Sequence, residues 1–555
     1  DHRESRGLGD VYKRQMLLRF GYVLLLALSL SACQNKFQQL APPLSPLPQE
    51  SLIESYFNQS QASSYTEVLR QQTRLGDNLE EIIVNTIADA DSTVYMAVQE
   101  LRLPAISQAL AERYRAGVKV RVIIENTYNR PWESLSPSQV SQLPEQERDR
   151  YNEFIQSIDF NMDGEISQDE INRGDALIIL SNAGVPLIDD TADGSRGSGL
   201  MHHKFLVVDG KTVIVTSANF TTSGIHGDFS ESLSQGNANN LLKIESSELA
   251  ELFTEEFNLL WGDGPGGKLD SKFGVKKPFR DTREVLVGDT KVAVQFSPTS
   301  NSQSWQKSVN GLINRTLEKA QKSINLSLFV FSAQPLVNTL EKKSLQGVLI
   351  QGLIDPSFAY RYYSEGLDMM GVALANKCKY ETDNQAWQKP ISTVGIPNLP
   401  PGDRLHHKFG IIDNSIVITG SHNWTEAANK NNDETLLVIE SSTVAAHFER
   451  EFQRLYQTAT MGIPSWLMKR VKKQQQECGD RLTKTETSLT DTNNRINLNT
   501  ATAEELERLP GVGPKLAERI IQARKNQPFT SLADLDQVSG IGPKMLDKLS
   551  DRVTW

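Results

Sequence analysis

Two short clusters in the chain carry residues able to cut a phosphate ester. The first reads His202-His203-Lys204-Phe205-Leu206-Val207-Val208-Asp209, followed by Thr216-Ser217-Ala218-Asn219. The second reads His406-His407-Lys408-Phe409-Gly410-Ile411-Ile412-Asp413, followed by Gly420-Ser421-His422-Asn423. From His to Asn the spacing is 17 in both. A His and a Lys two residues apart in a strand project from the same face. Phosphodiester cleavage needs a nucleophile, an acid for the leaving oxygen and cations around the phosphoryl oxygens. Two copies of His plus Lys provide these without a catalytic metal or other cofactor. Ser217, Asn219, Ser421 and Asn423 can bond the non-bridging oxygens or orient the histidines. Asp209 and Asp413, five residues beyond the lysines, suit holding the fold more than doing chemistry.

This repeated cluster resembles the phospholipase D superfamily, over most of residues 65–460. The resemblance implies an α/β fold of two α/β/α halves about a pseudo-twofold axis, with one active site where they meet. It implies that one motif His attacks phosphorus to form a phosphohistidine while the other protonates the leaving group. On that basis His202 is the nucleophile and His406 the general acid and base, with the reverse order open, and Lys204, Lys408, Asn219 and Asn423 bind the phosphate. Glu434, in Asn432-Asp433-Glu434-Thr435, fits the family's acidic partner that orients a motif His through its ring N–H. The first half has Asn239 at the matching place, after nine added residues, which leaves Asp228 or Glu231 to replace the carboxylate.

The elements that must position these residues also repeat. An amphipathic helix near 79–90, a strand in 92–101, a helix ending at Gly117 and a strand in 118–126 lead to the first motif. A helix over 311–322, a strand in 324–332, another helix, Gly347 and a strand in 348–355 lead to the second. Strands alternating with helices predict parallel-rich α/β units with helices on both sheet faces. From the marker glycine to the motif His is 202 − 117 = 85 residues in the first half and 406 − 347 = 59 in the second, so about 26 residues are inserted, around 145–172.

That insertion holds a second motif. Asp159, Asn161, Asp163, Gly164, Glu165, Ile166, Ser167 and Glu170 match positions 1, 3, 5, 6, 7, 8, 9 and 12 of an EF-hand loop, a pattern for Ca2+. Tyr151, Phe154, Ile155 and Ile158 lie at i, i+3, i+4 and i+7, the apolar stripe of an entering helix. The exit helix is brief. A lone loop of this kind suggests a structural Ca2+ site that braces the insertion.

Residues 495–555 contain two related units 29 residues apart. Thr502-x-x-Glu505 is a capping box, and Pro510-Gly511-Val512-Gly513-Pro514-Lys515 turns into a helix with Pro514 at its first position. Ser539-Gly540-Ile541-Gly542-Pro543-Lys544 repeats the turn. The units resemble paired helix-hairpin-helix motifs, which implies a small all-α DNA-binding domain. Gly511, Gly513, Gly540 and Gly542 let backbone N–H groups approach a phosphate, with charge from Lys515 and Lys544. Such contacts carry no sequence information. The module's net charge of +1 makes binding weak and salt-sensitive.

The ends place the protein. Residues 1–15 fit no targeting leader and read as a non-native segment. Met16 opens a lipoprotein signal over 16–33, with a basic start, an apolar run of 13 residues and the lipobox Leu30-Ser31-Ala32-Cys33, whose Cys33 takes the lipid. Residues 34–50 are a Pro-rich tether, 51–275 and 276–472 the two halves, and 473–494 a linker. The expected location is the bacterial cell envelope, lipid-anchored on the periplasmic or outer side. Cys378 and Cys478 form an even pair in an oxidising compartment. Over 555 residues the net charge is −10, so no general attraction to polyanions exists and any such site is a local basic patch. The expected function is phosphodiester hydrolysis by a monomer, directed at DNA. The alternatives are head-group release from phospholipids and an inactive DNA-binding surface protein.

Overall fold

The computed structural model describes residues 43–195, 199–381, 383–479, 482, 496–507, 509, 512–529, 532–535, 538, 541, 549 and 553–554. Cys33 and the signal segment lie outside them. Valine- and isoleucine-rich runs, which suit a pleated buried surface, form the strands. In the first half these are Ile53–Phe57 (β1), Thr93–Val98 (β2), Lys119–Ile124 (β3), Leu187–Asp189 (β4), Lys204–Val208 (β5), Thr212–Thr216 (β6) and Asn240–Glu245 (β7). They make one sheet in the order β1-β7-β6-β5-β2-β3-β4. The second half has Arg283–Val287 (β8), Thr290–Ser297 (β9), Ser323–Leu328 (β10), Leu349–Ile354 (β11), Val394–Ile396 (β12), Lys408–Ile412 (β13), Ile416–Gly420 (β14), Glu434–Glu440 (β15) and Thr460–Met461 (β16). Their order is β8-β9-β15-β14-β13-β10-β11-β12-β16. All seven strands of the first sheet recur in the order β9-β15-β14-β13-β10-β11-β12 of the second, and the register repeats too: Lys204 lies opposite Val98 and Lys408 opposite Leu328.

The sheets are mixed, not parallel-rich. In the first half only β2–β3 and β3–β4 are parallel, and the other four pairs are antiparallel. The reason is local. Asp209-Gly210 and Asp413-Asn414 all have φ between +51° and +59°, the left-handed pair that closes a tight hairpin. Each motif strand therefore turns straight back on itself.

Helices Leu79–Ala88 and Pro104–Arg115 cover the outer face of the first sheet, and Val309–Glu318 and Gln334–Leu345 that of the second. The inner faces of both sheets share a single apolar core with helices Ser247–Trp261 and Ser442–Tyr456, including Phe205, Phe253, Phe257, Phe409, Phe448 and Phe452. The two halves are thus one body.

Three boundaries differ from the sequence reading. The described end of the Pro-rich segment, 43–50, is docked: Arg450 donates to the Ser45 carbonyl at 2.9 Å, His447 to that of Pro48 at 3.0 Å, and Ser441 to the Glu50 carboxylate at 2.8 Å. Proline-rich backbone leaves carbonyls free to accept such bonds. Helix Ser465–Cys478 runs six residues into the expected linker. Buried Leu467 anchors it at one end and the Cys378–Cys478 disulfide at the other. The chain divides into compact units at 483/484. In the second unit Leu498, Leu506, Leu516, Ile520, Leu535 and Leu549 form a core of their own. The Thr502–Glu505 capping box forms, and helix Pro514–Asn526 follows. The unit is not purely α, because Ile496–Asn497 pairs in parallel with Val553–Thr554.

Candidate active site

Each motif His is held by the opposite half. The His202 N–H donates to the Asp433 carbonyl at 2.9 Å and the His406 N–H to that of Ala238 at 3.1 Å. The side chains repeat this exchange. His202 Nδ1 is 2.6 Å from Glu434 Oε2, and His406 Nδ1 is 3.0 Å from Asn239 Oδ1. Ser421 donates to that Glu434 oxygen and Ser217 to that Asn239 oxygen, each at 2.7 Å. Glu434 was expected to serve a motif His, and it serves the one in the other half. Asp228 and Glu231 do not replace a carboxylate at His406, because Asn239 itself fills the place. Its Nδ2 donates to the Gly224 and Asn237 carbonyls, at 2.7 and 3.1 Å. This turns its oxygen toward His406 and makes His406 Nδ1 the donor. In both histidines Nε2 is left to face a substrate.

The electrostatics favour an anion. Lys204 donates to Gln99 and the His202 carbonyl at 3.1 and 2.9 Å, and Lys408 to the His406 carbonyl at 2.7 Å. Both are buried. Burial lowers the Lys204 ammonium to about 7, against the pull of Glu434 and Glu100. Burial and the neighbouring Lys204 push Lys408 well below the ordinary lysine value. Burial and the two lysines also hold His202 and His406 well below the usual imidazole value, so both rest neutral. Negative charge placed among these buried cations would offset the cost of their burial. Asn219 and Asn423 bury their Oδ1 atoms without a partner.

Asp209 and Asp413 stand at the far ends of the motif strands. Asp209 accepts from the backbone N–H groups of Asp91, Ser92 and Thr93, and Asp413 from those of Gln321, Lys322 and Ser323. Burial opposes their charge, yet these bonds hold both carboxyls below the ordinary value. They fix the hairpins and do not reach the site.

The second His of each doublet escaped sequence reasoning. His203 Nε2 donates to Glu256 at 2.9 Å and its Nδ1 meets Thr435 Oγ1 at 2.8 Å. His407 Nε2 donates to Glu451 at 3.0 Å and its Nδ1 accepts from Asn240 at 3.1 Å. A signal was present: 256 − 219 = 37 and 451 − 423 = 28 differ by the same nine residues added in the first half. Also missed was the groove of about 290 Å³ beside His406, lined by Tyr128, Arg150, Asn219, Phe329, Phe358 and Arg404. Asn219 belongs to the first motif and Arg150 to helix Glu145–Ile158, and the remaining residues share no pattern.

The other expected sites fare unevenly. The entering helix Glu145–Ile158 and the short exit helix Gln168–Gly174 flank the 159–170 loop as anticipated. Within it, Asp159 accepts from the N–H groups of Asp163 and Gly164, and Asn161 Oδ1 from that of Asp163. Asp163 accepts from the N–H of Glu165, whose side chain is exposed. Among the described residues no three His, Cys, Asp or Glu side chains gather to hold a metal. Glu170 instead ties the two ends of the loop together: its Oε2 accepts from the Ser167 hydroxyl and N–H at 2.8 Å, as the N3 member of a capping box, and its Oε1 from the Phe160 N–H at 3.0 Å. In the C-terminal unit, Gly513 caps helix Pro514–Asn526 with open space where a Cβ would sit, and Lys515 is exposed. Gly511, Gly540, Gly542 and Lys544 lie outside the described residues.

Residues 83–261 and 313–456 match the family described as cardiolipin synthase, PLD-like domain, and residues 491–554 match the helix-hairpin-helix motif. The human mitochondrial cardiolipin hydrolase is 30% identical over 146 residues, 26% of this chain and 49% of that protein. The phospholipase D of Rickettsia typhi is 29% identical over 136 residues, 24% of this chain and 57% of that protein. The chain spans about half the length of the curated relatives that it matches first. Phosphatidylserine synthase of Haemophilus influenzae superposes with a TM-score of 0.47 at 13% identity, over 79% of this chain and 96% of that one. Nuc of Salmonella typhimurium gives 0.25 at 22% identity, over 32% and 100%. The family match covers more than half of the chain and takes in both motifs together with the exchanged partners Asn239 and Glu434: this protein belongs to the phospholipase D-like family.

Proposed function

We propose that the chain hydrolyses DNA phosphodiesters through a phosphohistidine. The single observation that supports DNA is the helix-hairpin-helix match over 491–554, joined to a catalytic body whose groove carries Arg150 and Arg404. His202 Nε2 attacks phosphorus, because the Glu434 carboxylate against Nδ1 stabilises the cationic ring that results. His406 takes up a proton at Nε2 when the anionic diester binds and gives it to the leaving oxygen, since a neutral Asn239 partner makes its imidazolium the stronger acid. The same His406 then activates water to release the phosphate. Lys204, Lys408, Asn219 and Asn423 hold the phosphoryl oxygens. One chain carries both motifs, so a monomer is complete.

The test is truncation. Removing 495–555 raises the apparent KM for plasmid DNA severalfold while kcat on bis(p-nitrophenyl) phosphate stays unchanged, because a tethered module raises the local DNA concentration to about the millimolar range. The difference shrinks as salt rises. Equal DNA cleavage by both forms refutes the reading.

A second reading, head-group release from phospholipids, is favoured by an apolar cavity that opens from the catalytic groove. In either reading we place the protein in the bacterial cell envelope, anchored through Cys33. The Cys378–Cys478 bond supports an oxidising compartment. The oxygen donors Asp159, Asn161, Asp163, Glu165 and Glu170 suit Ca2+ as a brace for the insertion, which requires Glu170 to leave its capping box.

A further inference from the structure

No step of the proposed reaction uses Lys277, which lies outside both motifs on the segment between helix Ser247–Trp261 and β8. Its buried ammonium has three protons and three acceptors: Glu256 at 2.5 Å, the Ser297 carbonyl at 2.7 Å and Asp433 at 2.6 Å. These bonds close a circuit. Glu256 accepts from His203 Nε2 at 2.9 Å, His203 Nδ1 meets the Thr435 hydroxyl at 2.8 Å, and the chain runs back through Glu434 to Asp433. Burial and the Lys277 ammonium hold the His203 imidazole down to about 3. It therefore stays neutral, with Nε2 as donor and Nδ1 as acceptor. His202 is attached to this circuit three times: by its peptide bond to His203, by its N–H on the Asp433 carbonyl at 2.9 Å and by Nδ1 on Glu434 at 2.6 Å. The Gly274 N–H pins the Asp433 carboxylate from its other side, at 2.9 and 3.0 Å.

The other half closes its circuit differently. His407 bonds Asn240 and Glu451, and the partner of Glu451 is Arg454, one turn further along the same helix. Arg454 then reaches Gln59 at 2.9 Å, and the Gln59 carboxamide donates to the Gly236 carbonyl at 2.5 Å, two residues before Ala238. Where Asp433 stands, that half has Ala238, whose side chain offers nothing to hold. The stretch that supports His406 is thus tied by a neutral carboxamide, and the stretch that supports His202 by a buried ion pair. Charge-assisted bonds are roughly twice as strong as neutral ones. A nucleophile must meet phosphorus in line, where a displacement of about 1 Å can cost about a hundredfold in rate.

We propose that Lys277 is a positioning residue, which locks the Asp433–Thr435 stretch and through it holds His202 for attack on phosphorus. The inference rests on the phosphodiesterase reading with His202 as nucleophile. The experiment uses the full chain and bis(p-nitrophenyl) phosphate in stopped flow. Attack by His202 releases the first nitrophenol, and water then frees nitrophenyl phosphate. Lys277→Met alone would strand the buried Asp433 carboxylate, which is strongly destabilising, so the variant is the charge-balanced pair Lys277→Met with Asp433→Asn. Release of the first nitrophenol slows about a hundredfold. The substrate concentration that half-saturates this step stays the same, because Lys204 and Lys408 still hold the phosphate. The parent rate in the folded double variant overturns the proposal. If that variant does not fold, Thr435→Val, which opens the same circuit without altering charge, decides in the same way. A second readout separates positioning from stability alone. The proton shared between His202 Nδ1 and Glu434 over 2.6 Å gives a far-downfield resonance, identified by its loss in His202→Gln. In the folded variant it moves upfield, and an unmoved resonance overturns the proposal. If no diester is turned over, or if labelled phosphate is trapped on His406, the catalytic reading has failed instead, and this resonance alone decides whether Lys277 holds His202.

Discussion

Asn239 and Glu434 occupy equivalent places and receive equivalent hydrogen bonds, yet one is a carboxamide and the other a carboxylate. The asymmetry separates the two histidines chemically, and it can be tested one residue at a time. His202→Ala and His406→Ala are each expected to abolish turnover, and quenching with labelled substrate in alkali, which spares the acid-labile P–N bond, should find the label on His202 alone. Substantial activity in either variant would contradict a single shared site. The pH profile follows from the buried cations. kcat/KM reports the free enzyme, in which His406 must carry a proton to act as acid and Lys204 must be charged to bind phosphate. Burial holds His406 below the usual imidazole value and brings Lys204 to about 7. Both lose their protons as pH rises, so kcat/KM is expected to fall about tenfold or more between pH 6 and 8. Asn239→Asp puts a carboxylate beside His406, favours its protonated form and should move that falling limb to higher pH. An unmoved limb would mean that His406 is not the acid.

At the scale of elements, what could be read from the residues is what repeats locally. The His-Lys motifs, the strands around them, the insertion and the entering helix over Glu145–Ile158 were all legible, because each is a short-range pattern of residue types. The parallel-rich expectation failed because the turn chemistry of Asp209-Gly210 and Asp413-Asn414 was passed over. The identity of the residue facing His202 could be read, but not its provenance from the other half, since no spacing rule spans 232 residues. Two elements invite measurement. If the 159–170 loop binds Ca2+, a hundredfold excess over its dissociation constant stabilises the fold by about 2.7 kcal/mol. EDTA should then lower Tm and leave kcat on a small diester nearly unchanged; equal Tm with and without the ion would count against the loop. The Cys378–Cys478 bridge closes 100 residues, and Cys478→Ser should cost about 2–4 kcal/mol in denaturant unfolding under oxidising conditions. No loss would show that helix Ser465–Cys478 is held by Leu467 and its neighbours alone.

The whole molecule is a pair of halves that complete each other. Besides the exchanged partners of His202 and His406, buried Lys277 joins them, bonding Glu256 of one half at 2.5 Å and Asp433 of the other at 2.6 Å. Produced separately, residues 51–275 and 276–472 should each be inactive. Each would expose the apolar faces that the shared core covers, and mixing should restore activity only where the two associate. The reciprocal bracing also bears on how such a molecule can change. In an assembly of two identical subunits, one codon sets the partner of both histidines, so any substitution there strikes nucleophile and acid alike. Here the two positions are written separately along one polypeptide. A carboxamide can settle at residue 239 while residue 434 keeps its charge, and each catalytic role can be refined by mutation without spoiling the other.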